Sequence, residues 1–338
     1  VRAFIVRRLL LGLVVVLGLT VVTFFIARVV PSDPAARWVG PRATVEQIER
    51  ARVKLGLDKP IYIQYLRYMG DLLRGDWGVS IVTHQPVLRD IATYLPASLE
   101  LTFYGMLLAI IVGIPLGVLS AVHKDRAVDH LSRAFSIGAV SLPTFWVAMV
   151  FQLVFFGYLH ILPLGGQLDM AVKLAYSIPR VTGMYTVDAL LAGNWTVFLN
   201  ALEHLVLPAV TLATYPVGLI TRMLRSSMLE VSNEDYIRVA RAYGLPEGRV
   251  IYVYALKNAI GPTITVIALT FAYSLAGTFL IEAVYNWPGL GHYAADAVLA
   301  ADYPAIMGVT IVVAFFYVLL NLLVDIIHAV LDPRIKTV

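Results

Sequence analysis

Thr270, Ser274, Thr278 and Glu282 recur at steps of four along an otherwise apolar stretch of the chain. Hydroxyls ending in a carboxylate suit two tasks: hydrogen bonds between packed helices, or the polar lining of a translocation path with Glu282 at its outer mouth. A step of four drifts around a 3.6-residue helix, so one narrow path cannot easily use all of them. Covalent chemistry has little to work with. Cysteine is absent, which removes thiolate nucleophiles, thiolate metal sites and disulfides. His84, His123, His130, His160, His204, His292 and His328 are scattered, and the chain has no G-x-x-x-x-G-K-[ST] phosphate loop, His-Glu metal spacing or G-x-S-x-G turn. The expectation is a non-catalytic chain with no metal and no cofactor of its own.

The other chemically distinctive stretch is polar and runs from Glu230 to Pro262. Ser232 and Asp235 have capping-box spacing, and Glu234 and Asp235 would lie favourably in a first helical turn. Tyr236, Val239, Ala240 and Tyr243 then fall on one stripe, with Arg238 and Arg241 pointing elsewhere. Gly244 stands where a helix end wants positive φ, and Pro246 can open a second helix. The pattern predicts helix, sharp turn, helix. A short amphipathic helix of this kind can lie on a membrane, pack on its own protein or dock in a partner's groove.

The elements that must position these residues are apolar. Hydrophobic residues make up 59% of the chain and charged ones 14%, with mean hydropathy +0.79, so the chain is an integral membrane protein. A net charge of +4 spread among long apolar runs argues against nucleic-acid binding. Leu9 to Val30 reaches about 33 Å, enough to cross a core of roughly 30 Å, and reads as an uncleaved first span rather than a signal peptide. Further spans are expected at 97–122, 134–159, 205–224, 260–283 and 306–331, giving an all-α bundle of six transmembrane helices. Glu100, Asp325 and His328 are placed near span ends. The short loops put Lys and Arg on the side of the N-terminus, and the loop 284–305 has none. Both termini and the polar stretch, as a loop over 225–259, are therefore expected in the cytoplasm.

Three features bear on the bundle's interior. Gly105, Ala109, Gly113 and Gly117 form a small-residue stripe that lets helices approach closely. Pro143, within SLPTF, must break or kink the third span. Residues 31–96 form an external subdomain with a helix from Glu46 to Leu55, started by Thr44 with Gln47 and ended at Gly56 to Pro60.

Long motifs in order then identify a family. PSDPA from Pro31, LGLDKPIYIQYLRYMGDLLRGDWGVS from Leu55, QPV from Gln85, SLPTFW from Ser141, LPLGG from Leu162 and HLVLPAVTLA from His204 are followed by RMLRSSMLEVSNEDYIRVARAYGL from Arg222, YNWPGLG from Tyr285, DYP from Asp302 and NLLVDIIHAVLDPR from Asn321. The chain resembles the B-type permease of prokaryotic ATP-binding-cassette importers for dipeptides, oligopeptides and nickel, most closely the dipeptide branch by PRVTGMYTVDALLAGN from Pro179. The resemblance implies the type I importer permease fold in the prokaryotic inner membrane. It also implies a second, C-type permease subunit, two ATPase subunits that use ATP and Mg, and an extracytoplasmic peptide-binding protein.

The polar stretch then corresponds to the family's EAA-type loop. Ala240, Gly244 and Leu256 match its pattern, while Arg238, Val239, Tyr254 and Lys257 depart from it as the peptide permeases do. Asp235, Tyr236, Arg238, Val239, Ala240, Arg241, Tyr243 and Gly244 become the ATPase-coupling residues, with the stripe in the ATPase cleft and the two arginines paired with acids at its rim. Trp287, Pro288 and Gly289 become an external gate or binding-protein contact. Alternatives are a nickel-chelate importer of the same family, a secondary transporter or channel with ionisable groups at the membrane midplane, and a scaffold with no path.

Overall fold

A computed structural model describes residues 2–29, 34–40, 42–54 and 56–331. The expectations for Val30, Pro31, Leu55, Arg334 and Lys336 lie outside the described residues, as do the side chains of Asp325 and His328. Everything regular among the described residues is helical: α1 (Arg2–Val29), α2 (Pro34–Val39), α3 (Val45–Lys54), α4 (Ile61–Leu73), α5 (Val87–Val122), α6 (Ala127–Ser141), α7 (Thr144–Phe151), α8 (Met170–Ala175), α9 (Tyr185–Leu191), α10 (Trp195–Val231), α11 (Asp235–Ala242), α12 (Glu247–Arg249), α13 (Leu256–Gly277), α14 (Phe279–Val284), α15 (Leu290–Leu299) and α16 (Tyr303–Leu331). Two π-helical turns, Gln152–Tyr158 and Val250–Ala255, continue α7 and α12. Among the described residues five helices are long and apolar enough to cross a membrane, and α6 with α7 makes a sixth if the bent pair is one span.

The second and fourth expected spans are shorter than the helices that contain them. The 37 residues of α10 reach about 55 Å and the 36 of α5 nearly as far, well beyond a hydrocarbon core of about 30 Å. An apolar window finds only the part in lipid. The stretch 31–96, expected as an external subdomain, shares its last ten residues with α5, which begins at Val87 and carries Pro96 inside it. Within that subdomain Thr44 caps α3 reciprocally: its amide donates to Gln47 Oε1 at 2.8 Å and its hydroxyl accepts from the Gln47 amide at 3.3 Å.

At Pro143 the chain turns by 107°. Leu142 is extended, with φ −84° and ψ 135°, as a residue before proline should be, and α7 restarts at Thr144. The expected fifth span over 260–283 is also divided, α13 ending at Gly277 and α14 starting at Phe279.

The small-residue stripe of α5 packs against α10. A Cβ on Gly113 would lie 2.8 Å from Ile220 Cγ2, and one on Gly117 2.9 Å from Leu224 Cβ, while Gly105 lies against Leu212. Partners advance together along both helices, so α5 and α10 run parallel, in contact over several turns. Ala109 of the stripe is fully buried. On its other side α10 meets α6, where Gly218 lies 2.8 Å, by its would-be Cβ, from the Ser136 carbonyl.

A buried ion pair fixes the same three helices near their polar-hairpin end. Arg225 of α10 holds Asp129 of α6 with two parallel bonds of 2.6 and 2.7 Å. The Asp129 carboxylate, wholly buried, also accepts from the Ser120 hydroxyl of α5 at 2.6 Å and the Asp125 amide at 3.0 Å. Geometry of this quality offsets the desolvation of both charges.

Two outcomes follow for purified protein. Gly113→Leu should lower thermal stability by about 1–3 kcal/mol, as overpacking does, whereas Gly18→Leu, which meets nothing within 4 Å, should be neutral. Arg225→Met alone should cost about 3–5 kcal/mol by stranding a buried charge, and adding Asp129→Leu should restore much of the loss. A thermal-shift series on the four variants and the parent checks both.

Candidate functional site

Three places gather the chemically distinctive residues. At one end of the α5–α10 pair lies the polar hairpin. The expected cap at Ser232 is corrected: α10 runs on to Val231, so Ser232 sits at its end and its hydroxyl bonds back to the Met228 carbonyl at 2.6 Å. The N-cap of α11 is Glu234, and α11 starts at Asp235. The exit is a Schellman turn. Gly244 has φ +71°, its amide donates to the Arg241 carbonyl at 2.9 Å, and the Leu245 amide reaches the Ala240 carbonyl at 3.3 Å.

The expected stripe of Tyr236, Val239, Ala240 and Tyr243 divides between two faces. Ile237, fully buried, and Ala240 pack with Val118 and Ala121 of α5, Leu224 and Met228 of α10, and Val250 and Ala255 of the following turn. Tyr236, Val239 and Tyr243 are exposed, Tyr243 by 83%. The helix is therefore apolar on both sides, one bound to its own bundle and one open. Arg238 and Arg241 are already partnered within the hairpin. Arg238 meets Asp235 at 2.6 Å on the surface, and Arg241 spans the turn to Glu247 at 2.7 Å.

The second place is a cleft of about 340 Å³ lined by residues of α7, α10, α13 and α14, among them Thr144, Tyr215, Thr270, Tyr273 and Ser274. Thr270 and Ser274 thus come together at one opening. Thr278 and Glu282 do not line it; both are buried, as Thr270 is, but against other parts of the bundle. Glu282 is not at an open mouth: its carboxylate accepts from the Ser98 hydroxyl at 2.5 Å and the His292 amide at 2.9 Å, with Gly289 and Gly291 pressed against it. The drift of a four-residue step separates the two pairs.

The third place is the end of the bundle away from the hairpin, where loops return onto α5. Trp287, expected to face outward, is 1% exposed, and its indole N–H donates to the Ala97 carbonyl at 2.9 Å. Gly289 is buried beside Glu282, and only Pro288 of this trio reaches a surface, in a pocket beside Tyr94, Lys173 and Arg180. A ring of large groups with few polar atoms packs best inside, provided its N–H finds an acceptor. Glu100, expected near a span end, is buried there and accepts from the Thr186 amide at 2.8 Å and hydroxyl at 2.6 Å. Asp302 gathers the Ser80 hydroxyl and the Ile81 amide at 2.5 and 2.7 Å. Nearby, burial pushes the Asp188 carboxyl up, but hydrogen bonds from Thr182 and Gly183 outweigh it and hold the group below the usual carboxylate range.

Sequence reasoning missed Asp129 with Arg225, Glu100 with Thr186, and Lys173 with Arg180. A lone charge in an apolar stretch was a signal for Glu100, whereas Asp129 lies in a charged connecting segment, 123–133, and stands out from nothing around it. Only the fold brings their partners.

The comparisons with known proteins agree with this architecture. Residues 113–337 match the family described as "Binding-protein-dependent transport system inner membrane component", and residues 1–102 match its N-terminal counterpart. A protein of Escherichia coli strain K12 named "Probable D,D-dipeptide transport system permease protein" is 48% identical, over 98% of this chain and 97% of its own. The dipeptide transport system permease protein of Alkalihalophilus pseudofirmus is 40% identical over 99% of both chains. Among solved structures, the inward-facing methionine ABC transporter MetNI superposes with a TM-score of 0.50 at 17% identity, covering 70% of this chain and 93% of that one, a likeness of fold. All-helical architecture, parallel α5–α10 pair and polar hairpin thus stand in a multi-pass inner-membrane chain that belongs to the family of binding-protein-dependent transport permeases.

Proposed function

We propose that this chain is the non-catalytic, membrane-spanning subunit of an ATP-driven importer of dipeptides. One observation carries the reading: the relatives named as dipeptide permeases align along nearly the whole of this chain at 40–48% identity. In this reading the chain pairs with a second, C-type permease, two ATPase subunits and an extracytoplasmic peptide-binding protein. ATP and Mg belong to the ATPases. Both termini and the α11 hairpin face the cytoplasm, where the basic short loops lie.

The geometry gives each part a task. Tyr236, Val239 and Tyr243 form the face of α11 that enters the ATPase cleft, being apolar and exposed. Ile237 and Ala240 bind the same helix to the ends of α5 and α10. Force applied to α11 therefore passes directly into two long helices. Because Arg238 and Arg241 are held by Asp235 and Glu247, they serve first to stiffen the hairpin and only then to meet acids of the ATPase. At its middle α10 supplies Leu212 and Tyr215 to the cleft that also holds Thr270 and Ser274, the half-path of this subunit. ATP binding would close the ATPases, move α11 with α10 and open that path outward, and hydrolysis would reset it.

Two measurements test this. A tag on this chain should co-purify the ATPases and a second permease, and dipeptides delivered by the binding protein should stimulate ATP hydrolysis in the reconstituted complex. Uptake into vesicles lacking every ATPase partner would overturn the reading in favour of a secondary transporter. Gly244→Val should strain the left-handed turn by about 1–2 kcal/mol while leaving the spans intact. The variant is expected to insert and assemble normally but to import several-fold less peptide per ATP, and unchanged coupling would remove Gly244 from the coupling role.

A further inference from the structure

The pocket at the end away from the hairpin has no assigned task. It encloses about 390 Å³, within the range of roughly 300–1,000 Å³ usual for small-molecule sites. Tyr94 and Ala97 of α5, Gln167, Lys173 of α8, Arg180 and Pro288 form its wall.

Its charge is unbalanced. Arg180 donates one bond, of 2.6 Å, to the Thr93 carbonyl. Asp169, the acid closest to Lys173 in sequence, is taken by Asn200 at 2.7 Å and His204 at 3.3 Å. Asp188 also lines the pocket, but its two oxygens already accept from the Thr182 amide and hydroxyl and the Gly183 amide, at 2.7, 2.8 and 2.9 Å. Among the described residues neither Lys173 nor Arg180 forms an ion pair. Two cations thus share one polar concavity with a single carboxylate, Asp188, that pairs with neither, and an anion of carboxylate geometry suits them, Arg bidentately and Lys as a point charge.

The wall is built to hold its shape. Tyr94 stacks on Tyr293 with ring centroids 5.0 Å apart. Gly183, at φ +82°, lies so close to Pro96 that a Cβ would stand 2.9 Å from its Cγ, which pins the 180–183 loop to α5. The apolar part of the wall, Ala97 and Pro288, adjoins the buried Trp287. Ala97 and Trp287 belong to the same packed layer as Leu212 and Ile281, and those two line the cleft. One packed cluster of side chains therefore reaches from the pocket wall to the cleft.

We propose that this pocket is a receiving subsite for the terminal carboxylate of a short peptide, held by Lys173 and Arg180 before it passes the Trp287 layer. The peptide identity rests on the function proposed above; the carboxylate does not. The rest of the peptide lies against Tyr94, Ala97 and Pro288, beside Gln167, whose side-chain amide donates one bond to Glu100 Oε2 at 3.3 Å and keeps a second hydrogen for the peptide backbone.

The test uses the complete permease–ATPase complex in lipid nanodiscs and in proteoliposomes, with L-alanyl-L-phenylalanine and its C-terminal amide as probes. Saturation-transfer NMR without the binding protein should show the free acid on the parent complex. The signal should be displaced by acetate, weak for the amide, and lost in Lys173→Gln with Arg180→Gln. Arg180→Lys should retain part of it. With the binding protein present, uptake of the free acid should fall about tenfold in Lys173→Gln, the usual weight of a lost charge-assisted bond, while uptake of the amide stays at the parent's level. No saturation transfer on the parent overturns the proposal. So does an equal fall for acid and amide, the outcome expected if these cations meet an acidic side chain of the binding protein. Binding that depends on Lys173 without uptake of either probe would retain the subsite and overturn the transport reading.

Discussion

Backbone proximity between α5 and α10 is the constraint on which the rest depends. In lipid no hydrophobic force drives helices together, so association rests on van der Waals contact and interhelical hydrogen bonds, and both require close approach. Gly105, Gly113 and Gly117 provide it by leaving room for Leu212, Ile220 and Leu224, and Thr221 adds a hydroxyl bond of 3.3 Å to the Gly113 carbonyl. Because the contact is parallel and long, the two helices behave as one rod. At one end of the rod sit Val118, Ala121, Leu224 and Met228, which receive α11. Toward the other sit Leu101 and Leu205, in the layer with Trp287 and Tyr285.

Charge placement follows from the same low-dielectric setting. A carboxylate buried among apolar helices persists only if its lone pairs are satisfied, and four here do so by binding separate segments together. Asp129 joins α6 to α10 through Arg225. Glu100 fastens the start of α9 to α5 through Thr186. Glu282 fastens the turn before α15 to α5 through Ser98, whose hydroxyl also accepts from the Leu290 amide at 2.7 Å. Asp302 does the same for the 80–82 turn ahead of α5. These acids are staples of the returning loops, which explains why Glu282 can end a column of hydroxyls without lining a path.

Much of this was legible in the chain, and the legible part was local. Hydropathy marked the spanning stretches, glycine at intervals of four announced a close contact, Pro143 announced a break, and Gly244 with Pro246 announced the hairpin turn. Each depends on near neighbours in sequence. The extents of α5 and α10 were not legible, because their ends leave the lipid and are no longer selected for hydropathy. Nor was the division of the α11 stripe. Ile237 and Ala240 on one side and Tyr236, Val239 and Tyr243 on the other are both apolar, and only the arrival of α5 and α10 decides which is covered. Trp287 lies in a loop between two expected spans, which reads as exposed although it returns onto α5, and Glu282 stands at the end of an expected span, where that same returning loop covers it.

Rigid and broken elements are distributed unevenly, and the distribution indicates where motion enters. The α5–α10 rod is continuous despite four internal prolines, since Pro96, Pro115, Pro208 and Pro216 each sit within an unbroken helix. The elements facing it across the cleft are interrupted: α6 to α7 at Pro143, α7 into a π-helical turn from Gln152, and α13 to α14 at Thr278. Thr144 and Gly277, which line the cleft, stand at two of these interruptions. Breaks are where backbone angles change most cheaply, so a rod displaced by α11 would move as a unit and the opposite wall would yield at Thr144 and Gly277. Gln152 limits that yielding, because its side-chain amide ties the π-helical turn to the Leu164 and Val284 carbonyls at 2.8 and 3.0 Å. The wall can hinge at its breaks without coming apart.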